Sequence, residues 1–264
     1  IVAQFAPPPY LSQGNPNAFA RSYSADVDFA RWVRFNTTAH KQPGYRAVFV
    51  SLKEPRQPPG DMGAAQMHAV ADLADRYSFG LIRTTHDQNL LLADVHVNDL
   101  YAVWQALRAQ KLATPNIGTL TNIICCPGLD FCSLANASSI PIAKQINELF
   151  DDMDYIHDLG DIRIKMSGCM NACGHHHVGH IGILGVDKKG EEWYQITLGG
   201  SAEEETLLGD RLGPAVPKAE VAQTIKRILD VYIEQRRDDE PFLATVRRTG
   251  IAPFKAGVYG RVVH

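Results

Sequence analysis

Four of the five cysteines fall in two short, glycine-flanked stretches, Cys126-Pro-Gly-Leu-Asp-Phe-Cys132 and Cys169-Met-Asn-Ala-Cys173. Both stretches can serve one site only if the fold joins loops that are distant in sequence. Soft thiolates in a set of four suit a tetrahedral metal or an iron–sulfur cluster. Structural zinc sites use close Cys-x(2–4)-Cys pairs, which the second stretch fits and the first fits poorly. Disulfides belong to secreted chains, and nothing else in the sequence has that character. Free cysteine also packs as a small hydrophobe, but four unrelated thiols would not account for the two paired loops. Spacing by itself leaves an iron–sulfur cluster and zinc as the open readings.

The 264 residues suffice for one large or two small domains with ample core. A net charge of −3 argues against a nucleic-acid surface. No run of eighteen or more apolar residues suggests a membrane span. The start, Ile1-Val-Ala-Gln-Phe-Ala6, has no charged n-region and no initiator Met, so it shows no signal peptide. Five cysteines kept as thiols or ligands imply a reducing compartment, and a cytoplasmic location is expected.

Periodicity predicts the elements. Residues 1–25 read as a linker, either a floppy tail or a docking strap, with Ala6-Pro-Pro-Pro-Tyr10 in polyproline conformation and loop-like residues at 15–16 and 22–24. Arg46 to Leu52 is β-branched and reads as a strand. Asp61 is a candidate cap for a helix with Met67, Val70, Ala71 and Ala74 on one face. Strands are expected over 79–84 and 90–95, then a helix after Asp99 with Leu100, Val103, Trp104 and Leu107 inward. This strand–helix–strand–strand–helix order makes residues 26–115 a ferredoxin-like half-unit. In residues 116–250, strands at 120–124 and 161–165 run into the two cysteine loops. Between them a helix starts near Ser138 or Ser139 with Pro141 in its first turn and Ile142, Ile146, Leu149 and Phe150 inward. Strands 180–186 and 193–198 flank the turn Asp187-Lys-Lys-Gly190, and 201–214 reads as a surface loop. A helix from Pro217 buries Val221, Ile225, Ile228, Leu229 and Tyr232, and 251–264 is a C-terminal tail. The fold class is α+β.

The wording around the cysteines resembles the sirohaem-dependent sulfite and nitrite reductases. Their pattern is Cys-x5-Cys, a long helical segment, then Gly-Cys-x-Asn-x-Cys, as in Ser167-Gly-Cys-Met-Asn-Ala-Cys-Gly174. Arg83-Thr-Thr-His-Asp-Gln-Asn-Leu-Leu-Leu92 resembles the family's Arg-x-Thr-x-x-Gln-Asn-Leu stretch. His180-Ile-Gly-Ile-Leu-Gly185 and Leu198-Gly-Gly200 look like the strand and glycine pair after the cluster. The likeness runs from about Trp32 to about Ile233. It departs at Met170, where many members have Pro, and at Ala172, where many have Gly.

The resemblance implies an α/β sirohaem and [4Fe–4S] domain behind the ferredoxin-like half-unit, with Cys126, Cys132, Cys169 and Cys173 as cluster ligands. The last is the family's bridging thiolate, shared between cluster and sirohaem iron. It also implies a sulfite reductase haemoprotein reducing sulfite to sulfide with six electrons, or alternatively a nitrite reductase. Members are about twice this length with two similar halves, and this chain matches the second. The residues that cage the substrate anion come mostly from the first half, so no catalytic proton donor is assigned here. The implied partners are that N-terminal half, the small anion and a ferredoxin or flavoprotein electron donor. Arg83, Gln88 and Asn89 are either near the macrocycle or polar caps of a hairpin. Asn171 is either a donor near the cluster or a turn residue in left-handed backbone. Cys125 reads as a spectator thiol. His175, His176, His177 and His180 could form a second metal site, though pairing with sirohaem carboxylates or backbone carbonyls suits them better. A non-catalytic Fe–S electron-transfer module and a zinc-stabilised binding domain are the competing classes.

Overall fold

The structure, a computed structural model, describes residues 7–11 and 16–260. Ala6, Asn15 and 261–264 lie outside them, and with them parts of the expected polyproline stretch, the loop at 15–16 and the tail. The chain divides into two compact units. One takes in the described residues up to Glu54 together with Asp61–Ile117; the other takes in Pro55–Gly60 and the described residues from Gly118 onward.

The first unit contains α1 (Pro16–Ala25), α2 (Val27–Asn36), β1 (Thr37–Ala39), β2 (Tyr45–Val50), α3 (Ala64–Tyr77), β3 (Arg83–Thr84), β4 (Leu90–His96) and α4 (Leu100–Ala109). Its sheet is antiparallel in the order β1-β2-β4-β3. As expected, α4 buries Leu100, Val103, Trp104 and Leu107, here against Phe29, Trp32 and the sheet. Each such large apolar side chain contributes roughly 1.5–3 kcal/mol by leaving water.

Several local expectations are corrected. Residues 16–25 form a helix, because Phe19 packs edge-on to Phe29 and gives the short polar segment an inner face. Residues 7–11, by contrast, follow the strap reading, with Tyr10 donating to Asp94 Oδ1 at 2.7 Å and the Leu11 N–H donating to the Tyr45 hydroxyl at 2.9 Å. Helix α3 buries Val70, Leu73 and Ala74 while Met67 and Ala71 face water. Its N-cap is Gly63, whose N–H bonds the Gln66 side chain at 2.8 Å, so Asp61 does not cap it. The strand expected over 79–84 shrinks to Arg83–Thr84, because Phe79 and Gly80 turn the chain with positive φ.

The second unit contains β5 (Ile124–Cys125), α5 (Ile140–Leu149), α6 (Met153–Leu159), β6 (Ile164–Ser167), β7 (Ile181–Lys188), β8 (Glu191–Leu198), β9 (Asp210–Arg211), β10 (Val216–Pro217), α7 (Val221–Gln235), α8 (Phe242–Thr249) and α9 (Ala252–Tyr259). Its sheet runs β10-β8-β7-β6-β5, with β9 also on β8. Strands β5, β6 and β7 are mutually parallel and β7–β8 is an antiparallel hairpin. The hairpin register pairs Lys188 with Glu191 across a loop in which Lys189 and Gly190 both have positive φ. Two such central residues match the right-handed twist of the flanking strands. Helix α7 buries all five residues expected of it, but Pro217 ends β10 and a 3-10 turn at Lys218–Glu220 comes first. Helix α5 turns Ile142 and Ile146 inward; Leu149 is exposed. The stretch expected as a C-terminal tail carries α9, with Phe254 and Val258 buried.

Candidate metal centre

Parallel strands deliver loops to one sheet edge, outside their carboxyl ends, where α/β proteins bind ligands. Strands β5 and β6 are neighbours with Cys125 opposite Met166, and both cysteine stretches leave at that edge. The Cys126 N–H extends the ladder to Met166 O at 3.1 Å. Gly168 then donates its N–H to Cys126 Sγ at 3.0 Å, and Ser139 Oγ stands 3.5 Å from the same sulfur. Donors aimed at a ligand sulfur orient it and tune a metal bound to it.

The two loops also touch through backbone. Gly168 O accepts the N–H groups of Asn136 and Ala137 at 2.9 and 3.0 Å. A Cβ on Gly168 would lie 2.6 Å from Ala137 O and 2.9 Å from Gly128 Cα. Gly128 has φ +62°, and a side chain there would meet the Ser139 backbone at 2.5 Å. Gly174 is tighter still, facing Met166 O. Glycine is needed at these positions because the strand ends approach one another without room for a side chain.

Cys132 N–H bonds Gly128 O at 2.9 Å, tying the second thiol to the same turn. In the other loop, Ala172 N–H donates to Cys169 O at 3.2 Å and Ala172 O accepts from His175 N at 2.7 Å. Cys169 is buried and Cys173 exposed. The left-handed residues are Ala172 at φ 58° and His175 at φ 54°, so Asn171 does not have the left-handed turn role. A glycine at 172 would relieve the strain.

Sulfur donors, an N–H on one of them and side-chain-free contact between the loops fit a thiolate-bound inorganic cluster. Among the described residues no three His, Cys, Asp or Glu side chains gather as ligands of one metal ion. A cubane would take each thiolate at a different iron.

His175, His176 and His177 lie ahead of β7 and outside any strand. His176–Val178 is a 3-10 turn following left-handed His175. His175 and His177 are exposed, and His176 is buried with no hydrogen bond to Nδ1 among the described residues. Burial, and then neighbouring His177, hold its pKa down to about 4. His180 is buried and its Nδ1 accepts the Arg163 backbone N–H at 3.3 Å, a bond to an amide and not to a carbonyl. Cys125 is buried and its thiol donates to Cys126 O at 3.1 Å.

In the first unit, Arg83, Gln88 and Asn89 occupy the β3–β4 hairpin. Asn89 is buried and accepts the Leu52 N–H at 3.0 Å. Gln88, with φ 57°, accepts from Lys53 Nζ at 3.4 Å. Arg83 is exposed. Sequence reasoning missed Ser139, Gly168 and the group behind them, Glu192, Tyr194 and Lys218. Ser139 was expected as a helix cap; it holds that position without a side-chain cap bond and turns its hydroxyl to Cys126.

Residues 117–263 match the family model of the nitrite and sulphite reductase 4Fe-4S domain, and residues 40–110 that of the nitrite/sulfite reductase ferredoxin-like half domain. The chain belongs to the nitrite and sulphite reductase family. The family carries a [4Fe–4S] cluster and sirohaem. An assimilatory ferredoxin-dependent nitrite reductase of Haloferax mediterranei is 30% identical, over 72% of this chain and 33% of its own length. Sulfite reductase [ferredoxin] 1 of Mycolicibacterium paratuberculosis is 27% identical, over 72% of this chain and 36% of its own. The solved Mycobacterium tuberculosis NirA protein superposes with a TM-score of 0.68 at 25% identity, covering 83% of this chain and 41% of that one. The chain thus spans about a third of the length of these two curated relatives. No helix among the described residues is long and apolar enough to cross a membrane.

Proposed function

We propose that the chain is the cluster- and sirohaem-carrying C-terminal part of an assimilatory sulfite reductase. Cys126, Cys132, Cys169 and Cys173 are its cluster thiolates and Cys173 its bridge to the sirohaem iron. The observation that supports this best is the Gly168 N–H on Cys126 Sγ at 3.0 Å, which joins two cysteine loops 42 residues apart. No side chain stores the six electrons that take sulfur from +4 to −2; the cluster and sirohaem supply that chemistry when bound. The protein's share is to hold four thiolates, donate N–H groups to sulfur and surround the site. Asn171 is proposed as a donor near the cluster, and Arg83, Gln88 and Asn89 as sirohaem contacts.

Leu129, Phe131, Leu134 and Met170 in the cysteine loops leave much of their apolar surface in water. That exposure supports a covering partner, proposed to be the N-terminal half of the enzyme, which also supplies the cage for the anion. A ferredoxin or flavoprotein subunit is the proposed electron donor, and the cytoplasm the proposed location. Nitrite is the second substrate reading, favoured by the naming of the Haloferax mediterranei relative.

Iron, acid-labile sulfide and sirohaem measured on one reconstituted sample test the assignment. The expected result is about four irons and four sulfides per chain, with sirohaem's intense visible bands. One zinc and no iron would mark a zinc-stabilised domain; iron without sirohaem would mark an electron-transfer module. The chain alone is expected not to turn over sulfite, with activity returning on fusion to a first half. Robust turnover by the 264-residue chain would refute the need for that half.

A further inference from the structure

The short segment Asn136–Ser139 is the hub of the cysteine site. It gives two N–H groups to Gly168 O, accepts the Leu129 N–H at Ala137 O and sets Ser139 Oγ beside Cys126 Sγ. What holds the hub from behind is a charged group on β8 and the turn after β10. Glu192 Oε2 accepts the Ser138 N–H at 2.6 Å. The Tyr194 hydroxyl donates to Ser138 O at 2.7 Å and stands 3.1 Å from Glu192 Oε2. Lys218 Nζ donates to Glu192 Oε1 at 2.6 Å and lies 3.4 Å from Ser138 Oγ. Both backbone polar groups of Ser138 are therefore taken by side chains of β8.

A carboxylate is an odd choice for the strand itself. Glu192 pairs directly opposite Asp187, and like charges facing each other across a ladder are unfavourable. Burial pushes its pKa up as well. Hydrogen bonds from Lys218 and Ser138 outweigh that burial and bring it down to about 2. The position accepts these costs for a charge-assisted bond to one N–H of the hub.

We propose that Glu192 is a positioning residue for the cluster: through Ser138 it holds Ser139 Oγ and the Gly168 loop against the Cys126 sulfur. The inference rests on the cluster reading above. It assigns Glu192, Tyr194 and Lys218 no contact with cluster, sirohaem or substrate. Their effect reaches the cluster through the geometry of donors around one thiolate, which tunes both retention and potential.

The test uses the full chain, reconstituted anaerobically with iron and sulfide. Glu192→Gln keeps the shape of the side chain and removes its charge. It is expected to release iron to a chelator about tenfold faster than the unchanged chain, the effect of one weakened charge-assisted bond. It should also shift the electron paramagnetic resonance spectrum and midpoint potential of the reduced cluster. Glu191→Gln, at an exposed neighbour, should do neither. Ser139→Ala should mimic the shift, and the double variant should add little, since coupled residues are non-additive. If Glu192→Gln does not fold, Tyr194→Phe removes only a hydroxyl from the same clamp and should shift both readouts in the same direction. A loaded parent chain whose Glu192 or Tyr194 variant keeps the parental release rate and spectrum overturns the proposal alone; so does strict additivity with Ser139→Ala. An unchanged chain that takes up no cluster overturns the cluster reading and this inference with it.

Discussion

Gly168→Ala probes whether the cysteine loops are joined by their own backbones. Gly168 does not need left-handed backbone, so alanine meets no conformational bar there. The added Cβ would instead sit 2.6 Å from Ala137 O and 2.9 Å from Gly128 Cα, both backbone atoms that cannot swing aside. Relief requires the loops to part, which stretches the bonds from Asn136 and Ala137 to Gly168 O and from Gly168 to Cys126 Sγ. Overpacking costs roughly 1–3 kcal/mol. Each weakened hydrogen bond adds about 1 kcal/mol. Stiffening of the unfolded chain returns about 0.4–1 kcal/mol. The net loss expected is about 3–5 kcal/mol, a fall in Tm of roughly 6–20 °C for a unit of about 150 residues. Urea denaturation of the metal-free, reduced chain measures it without any cofactor. Gly190→Ala is the control, because Gly190 sits in the β7–β8 turn with φ +85° and open space around its Cβ position. Only the left-handed penalty of roughly 1–2 kcal/mol applies there. If Gly168→Ala stays within about 0.5 kcal/mol of the parent, or costs no more than the control while binding iron as well, backbone contact does not join the loops.

The depressed pKa of His176 makes stability depend on pH. The unfolded histidine takes a proton below about 6.5 and the folded one only near 4, so stability rises with pH across that window and is lost on acidification. The loss is about 1–3 kcal/mol, and His176→Gln should flatten the slope between pH 4.5 and 6.5. An identical slope in the variant would contradict it; burial pushes the pKa of His180 the same way, so some slope should remain. Among the thiols, Cys125→Ser should keep the iron content of the reconstituted chain, whereas Cys173→Ser should lose cluster and its coupling to sirohaem. Equal iron loss from both would remove the distinction between ligand and neighbour.

What could be read in the sequence was what repeats locally. The α4 and α7 stripes and the β7–β8 hairpin came through because each rests on side chains within one element. Helix α3 slipped, because an alanine-rich run offers several faces of nearly equal hydrophobicity, and only packing selects Leu73 over Met67. The first helix was hidden because its polar composition reads as linker until Phe19 finds Phe29. The turn at His175 escaped for a different reason: a non-glycine residue in left-handed backbone leaves no compositional mark.

The site divides along the same physical line. Thiolate chemistry is written in residue type and spacing, so the four candidate ligands stood out at once. The groups that orient them are backbone amides and a carboxylate 54 residues from its partner, which no local pattern announces. The glycines give a reason why the loops can be ordered before any metal arrives. With Gly128, Gly168 and Gly174 against carbonyls and Cα atoms of neighbouring segments, the strand ends are in contact already. A binding site assembled only by its metal would need no such close approach, and alanine at those positions would then be harmless. The left-handed Ala172 points the same way: a strained non-glycine residue between two thiols persists only where its surroundings over-determine the turn. Rigidity of the scaffold, more than affinity of the separate thiolates, is therefore what this chain contributes to the cluster it is proposed to hold.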